Sequence, residues 1–338
     1  MKRFLLGLCL TGFFAGVHAQ QRPQYTQYIL NNYIINPALT GIENYTDVKL
    51  SHRHQWVGFQ DAPVTTYFTI HKPIGKQDDR TTATSFNMPG ENPRGKSYWQ
   101  DYTAAAPHHG IGMQVINDRT GPLNRFSAYA TYAYHLGISA RTSISAGFGA
   151  GVSNLSLTAS KLDFVHTTVD PAVYTSNAIN NLRPDFTAGV WVYSADYFLG
   201  VAAQQIVPSK IDFSNNTLTT QEGKSVPHLF FTAGYRFLLN EDFNLIPSTL
   251  VKYVSTTLNA DFNMKLQYQD LAWVGASYRL EDGFAGMIGL NVSNTFNIGY
   301  SYDYTTSKLN TFTKGTHEVM VGFLIGNKYG DWCPRNVW

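Results

Sequence analysis

Long hydrophobic runs are what this sequence has least of. After Val17, no apolar stretch approaches the ~20 residues that a membrane-spanning helix needs. Helical membrane proteins are thereby excluded. What remains is an exported soluble β protein or a barrel whose lipid face is diluted by a polar lumen. Charge is sparse and balanced, with 25 Lys and Arg against 23 Asp and Glu and a net charge of +2. No basic excess is available to draw a nucleic acid. Cysteine is nearly absent: once Met1–Ala19 is removed, Cys333 stands alone, so no disulfide can form within the chain. Catalytic signatures are missing too. There is no G-x-S-x-G elbow and no glycine-rich phosphate loop opening a helix. His317-Glu318 lacks the second histidine of a metalloprotease. His52 and His54 share one strand face, but two ligands make a poor metal site. His108-His109 would point to opposite faces if extended, and a loop is the preferred reading. The expectation is a protein without enzymatic chemistry, cofactor or metal.

What is present begins with an export signal. Lys2 and Arg3 precede an apolar stretch, Phe4–Val17, too short to span a bilayer, and Val17-His18-Ala19 ends on a small residue. Residues 1–19 therefore read as a signal peptide, with Gln20 as the new N-terminus. The body then repeats one pattern, segments of roughly ten residues that alternate apolar with polar or small side chains. In Leu258–Tyr268, one face carries Leu258, Ala260, Phe262, Met264, Leu266 and Tyr268. The other carries Asn259, Asp261, Asn263, Lys265 and Gln267. A period of two separates the sets, whereas a helix would scatter both.

Read this way, the chain is an all-β transmembrane antiparallel barrel of about fourteen strands. They start near Tyr45, Pro63, Gly110, Asn124, Arg141, Asp185, Tyr197, His228, Asp242, Leu258, Leu271, Gly283, Thr295 and Thr316. The expected divisions are an N-terminal segment 20–44, a barrel 45–325 and a tail 326–338. Short inner turns are expected at Gly137–Arg141, Ala195-Asp196, Asn240-Glu241, Gln269-Asp270 and Ser293-Asn294. Long outer loops are expected at Leu157–Pro184 and Val207–Pro227. Gly75–His109 breaks the rule as a long inner connection. Aromatics make up 14% of the chain. Tyr45, Tyr67, Tyr193, Tyr253, Tyr268 and Tyr304, near strand ends, are expected to form headgroup girdles.

Short motifs also recur in a specific order. Gln24-Tyr25-Thr26-Gln27-Tyr28 is followed by Asn36-Pro37-Ala38-Leu39-Thr40-Gly41, Arg53-His54-Gln55-Trp56 and Gly110-Ile111-Gly112. Pro247-Ser248-Thr249-Leu250, Gly275-Ala276-Ser277-Tyr278-Arg279, Gly299-Tyr300-Ser301-Tyr302-Asp303 and Thr316-His317-Glu318 complete the series. Together they resemble the PorP/SprF family of type IX secretion proteins across nearly the whole exported chain. The resemblance implies an outer-membrane barrel of Bacteroidetes-type bacteria. It implies a role in exporting or anchoring a surface protein of the gliding-adhesin kind, engaged through that protein's C-terminal domain. It also implies a second role, as part of the secretion or gliding machinery that contacts periplasmic or peptidoglycan-associated components. The polar lumen itself suggests a third, a diffusion channel.

Two regions are candidates for binding. Arg279 and Asp303, with Asp118, fall on polar faces near outward strand ends. A charge facing lipid at mid-depth costs ~2–4 kcal/mol, so lumen or rim is the expected place. There they either brace the wall or dock a partner. In the outer loops, Asp163, Asp170, Arg183 and Lys210 add charge that would orient a partner. The N-terminal segment, rich in Tyr25, Tyr28, Tyr33, Ile34 and Ile35, suits a plug packed in the barrel.

Overall fold

The computed structural model describes residues 23–76, 104–158, 178–208, 210–211, 223–224, 226–240, 242–255, 257–269, 271–280, 282–293 and 295–327. The expected signal peptide, Asp163 and Asp170, most of the 75–109 connection and the tail beyond residue 327 lie outside them.

Fourteen antiparallel strands close into a barrel. They are β1 (Thr46–His54), β2 (Val64–Ile74), β3 (His108–Thr120), β4 (Leu123–Gly137), β5 (Thr142–Thr158), β6 (Ala178–Ser194) and β7 (Tyr197–Gln204). β8 (His228–Tyr235), β9 (Phe243–Val254), β10 (Thr257–Tyr268), β11 (Ala272–Arg279), β12 (Gly283–Ser293), β13 (Phe296–Thr305) and β14 (Thr316–Ile325) follow. Each pairs with its sequence neighbours, and β1 pairs with β14 to close the wall, Thr46 opposite Ile325 and His54 opposite His317. No helix is long and apolar enough to cross a membrane; the strands make the wall. Five short connections, 138–141, 195–196, 236–242, 269–271 and 294–295, gather at one end, here the turn end. The strand ends joined by the connections 55–63, 159–177, 205–227 and 306–315, and by the tight turns 121–122, 255–256 and 280–282, are at the other, the loop end.

The period of two becomes a radial sorting. On β10, Phe262 is 51% exposed on the outer face while its neighbour Asp261 is 0% exposed inside. The same alternation puts Phe284, Ile288, Leu290, Val319 and Phe323 outside, as a wall surrounded by hydrocarbon requires.

Four expectations are corrected. Tyr45, Tyr67 and Tyr193 are buried in the lumen, and only Tyr253, Tyr268 and Tyr304 of that set face outward. Parity, not proximity to a strand end, decides which way a tyrosine points. His108 and His109 open β3 and do point to opposite faces, His108 buried and His109 exposed. Paired strands continue further than turn chemistry suggested: β5 reaches Thr158 and β6 starts at Ala178, so Arg183 is a strand residue. Lys210 belongs to a small two-stranded ribbon, Lys210-Ile211 against Gly223-Lys224. The wall is also uneven in height, because β5 and β6 each have 17 residues whereas β7 and β8 have 8.

The lumen is occupied by the chain's own beginning. Residues 23–45 form a strap of three 3-10 turns, Gln27–Leu30, Asn32–Ile34 and Pro37–Leu39, that runs from loop end to turn end. Facing it, the inward positions of the wall carry bulky groups such as Tyr67, Ile116, Tyr129, Trp191, Phe230 and Trp273. These pack with Tyr28, Tyr33, Ile34, Ile35 and Leu39 of the strap in two buried clusters. Each such side chain contributes roughly 1.5–3 kcal/mol on burial.

Candidate functional site

Strand ends set the stage. β1, β3, β9, β11 and β13 finish at the loop end, and β10 and β14 begin there. An inward-facing residue within four positions of each of these ends projects into the same mouth. Arg53, Asp118, Lys252, Arg279, Asp303, Asp261 and Glu318 occupy such positions.

All but Asp118 form a connected network. Arg53 Nη2 lies 2.6 Å from Asp303 Oδ2, and its Nη1 lies 3.2 Å from Glu318 Oε2. Arg279 reaches Asp282 at 2.8 Å, Asp261 at 3.3 Å and Asp303 at 3.7 Å. Lys252 Nζ sits 2.8 Å from Asp261 Oδ2. Buried charges persist only when paired and hydrogen-bonded, and here each has partners. The strap is tied into the same network. Thr26 N donates to Glu318 Oε2 at 2.8 Å, and Thr26 Oγ1 donates to Asp303 Oδ2 at 2.7 Å. Because Arg53 is on β1 while Asp303 and Glu318 are on β13 and β14, this clasp spans the seam where first and last strands meet.

The remaining strap is held at successive depths. Tyr28 is hydrogen-bonded to Asn263. Gln114 Nε2 donates to Tyr33 O at 2.6 Å, and Gln204 Nε2 donates to Ile35 O at 2.7 Å. At the turn end, Gly41 N donates to His71 Nδ1 at 3.1 Å, and His135 Nε2 lies 2.8 Å from Thr40 O. Gly41, at φ +75°, lies so close to Gly110 that a Cβ on either would overlap the other's backbone. The mirror-image φ and the close approach both require glycine.

Above the clasp, a cavity of about 330 Å³ opens at the loop end, with Gln24, Trp56, Asp118, Lys252, Arg279 and Asp282 among its lining residues. Thr65 Oγ1 donates to Asp118 Oδ1 at 2.6 Å and fixes that carboxylate. The structure thus brings Arg279, Asp303 and Asp118 to one mouth. Arg183 is not among the described residues that line this cavity, and the side chain of Lys210 lies outside the described residues. Tyr25, Tyr28, Tyr33, Ile34 and Ile35 all lie in the strap, packed against the wall. Among the described residues, no group of three or more His, Cys, Asp or Glu is placed to hold a metal ion.

Sequence reasoning missed Arg53, Glu318, Lys252 and Asp282 as members of this site. Arg53 and Glu318 stood out only as parts of motifs. The usable signal was a charged residue of inward parity close to the loop end of its strand.

A family model described as "Type IX secretion system membrane protein PorP/SprF" matches residues 17–323. Among solved structures, the chain is similar to the Acinetobacter baumannii outer membrane protein Omp33, at 9% identity and a TM-score of 0.45, covering 85% of this chain and 100% of that one. It is also similar to the monoaromatic hydrocarbon channel CymD, at 9% identity and a TM-score of 0.49, covering 89% and 93%. A FadL homologue of Pseudomonas aeruginosa is similar at 10% identity and a TM-score of 0.45, covering 89% and 94%. No curated protein matches the chain.

Proposed function

The chain belongs to the PorP/SprF family of type IX secretion system membrane proteins, and on that premise we propose that it is an outer-membrane barrel that receives an exported surface protein at its loop end and holds it there. The observation that carries this reading is the division of labour between lumen and mouth. The lumen is filled by the strap, stitched to the wall from Thr26 to Gly41. A passage so occupied suits an anchor better than an open diffusion channel. The mouth is charged, and the strands joined by the 159–177, 205–227 and 306–315 connections end on its side of the barrel. Loops on a rigid scaffold commonly carry binding. Short turns on the periplasmic side and longer loops outside are the outer-membrane norm, which sets the loop end toward the cell surface.

A second reading has one observation of its own. The strand ends at Ile74 and His108, which the 75–107 connection joins, are at the same end as the short turns, the end assigned to the periplasm. That placement suits a component contacting periplasmic secretion or gliding machinery. Purification in mild detergent separates the two. Surface anchoring expects an exported protein to co-purify and to be lost when the 159–177 and 205–227 connections are shortened. Loss of a periplasmic partner on shortening 75–107 instead, with surface proteins unaffected, overturns the anchoring role.

A further inference from the structure

The loop-end mouth has two lobes. The polar vestibule adjoins a smaller apolar pouch between strap and wall, lined by Tyr25, Ile35, Phe230, Leu250 and Val254. Pro23, Gln24, Lys252 and Asn259 line both lobes, so the first described residues of the strap form their common boundary. The charges of the vestibule are layered. Arg279 and Lys252 lie deep, with 8% and 17% of their side chains exposed, and each is held by carboxylates. Nearer the opening are Asp282, with 29% of its side chain exposed, and half-buried Asp118. The deep network is itself acidic in balance: Arg53, Lys252 and Arg279 face Asp261, Asp282, Asp303 and Glu318. Asp118 adds a further carboxylate and Arg125, opposite it on the neighbouring strand, a further cation, so the balance stays acidic by one charge. An incoming group therefore meets carboxylates first, beside the Trp56 ring.

We propose that this mouth is a socket for one anchor of the exported partner: an apolar side chain seated in the pouch, with a lysine or arginine beside it held between Asp118 and Asp282. The proposal rests on the docking reading above and supplies its chemistry. An acidic segment would be repelled by the net acidic mouth, and Lys252 and Arg279 below are already paired with carboxylates. A cation arriving there gains charge-assisted hydrogen bonds and an aromatic face, both of which discriminate by sign. The strap stays in place, because Pro23, Gln24 and Tyr25 are part of the socket and not an obstacle to it.

The test uses the full exported chain in lipid nanodiscs and two probes, the N-acetylated dipeptide amides Phe-Lys and Phe-Glu. Binding is read as saturable quenching of Trp56 fluorescence, with Trp56→Phe as the control. The basic probe is expected to bind at least tenfold more tightly than the acidic one. Asp118→Asn with Asp282→Asn should remove that preference while leaving the compact unboiled gel form intact. Equal binding of the two probes to the unaltered protein overturns the socket, whatever the variant does. So does undiminished preference in the folded double variant. Loss of probe binding in the double variant, with the surface protein still retained on cells, leaves the socket standing and overturns the docking reading on which it rests.

Discussion

At the scale of single residues, the molecule depends on charges that have no access to solvent. Arg53 is 2% exposed and holds Asp303 and Glu318 together across the closing seam. Arg53→Met would leave two buried carboxylates without that partner, and removing one member of a buried pair costs about 3–5 kcal/mol. The expected result is a marked fall in the temperature at which the compact, unboiled form disappears from gels; an unchanged temperature would show that the seam does not need the clasp. Outside, the logic reverses. Phe262 faces hydrocarbon, and Phe262→Arg should weaken refolding into bilayers by ~2–4 kcal/mol if the site lies near mid-depth. Phe262→Leu is the matched control and should fold normally. Alternation alone suggests that the neighbouring Asn263 would accept an arginine, as a lumen position does in an open pore. The structure removes that freedom, because Asn263 is 5% exposed and bonded to Tyr28 of the strap.

At the scale of elements, the strap decides how the lumen behaves. Its close approaches are specific. A Cβ at Gly110 would overlap the Thr40 carbonyl, and one at Gly147 would overlap Pro37 and Ala38. Both glycines are on the wall, so Gly110→Val should dislodge the strap's turn-end half without altering the strap sequence. Single-barrel conductance in planar bilayers is then expected to rise toward that of a deletion of residues 23–41. The unaltered protein should conduct least. If the deletion conducts no better than the unaltered chain, the strap is not what closes the lumen. The strap was legible in the sequence as an apolar, tyrosine-rich segment ahead of the first strand. Its path was not, because depth and direction are set by long-range partners such as His71, Gln114, Gln204 and Glu318, scattered from β2 to β14.

At the scale of the whole molecule, the outer wall is apolar around its circumference, from Ile111 and Met113 on β3 to Phe323 and Ile325 on β14. A surface of that extent in water is an aggregation hazard. The purified protein should therefore need detergent and should migrate differently before and after boiling. Monomeric solubility in plain buffer would contradict the barrel's lipid face. Orientation has its own test. In a Cys333→Ser background, Gln24→Cys lies at the loop-end mouth and Ser139→Cys in a turn at the opposite end. A membrane-impermeant maleimide applied to intact cells should label the first and spare the second. The reverse pattern would invert the barrel and move the docking face to the periplasm.

The sequence by itself determined the wall. Alternation of period two is a local property, and it located fourteen strands, assigned Phe262 and Asp261 to opposite faces and kept charges off the lipid side. Where alternation stops being informative, so did the sequence. β6 begins seven residues before its expected start at Asp185, and β5 runs on to Thr158, because pairing with a neighbour sustains a strand that turn-like residues would interrupt. Tyr45, Tyr67 and Tyr193 were expected at the headgroups, yet they are buried in the lumen; Tyr67 and Tyr193 pack there in clusters that the strap completes. The mouth was half visible: Asp118, Arg279 and Asp303 could be placed near strand ends, while their union with Arg53, Asp261 and Glu318 required the barrel to close. Residues on β1, β10, β11, β13 and β14 meet only once the first strand has paired with the last. That closure, and the threading of the strap through it, are decisions of the tertiary structure.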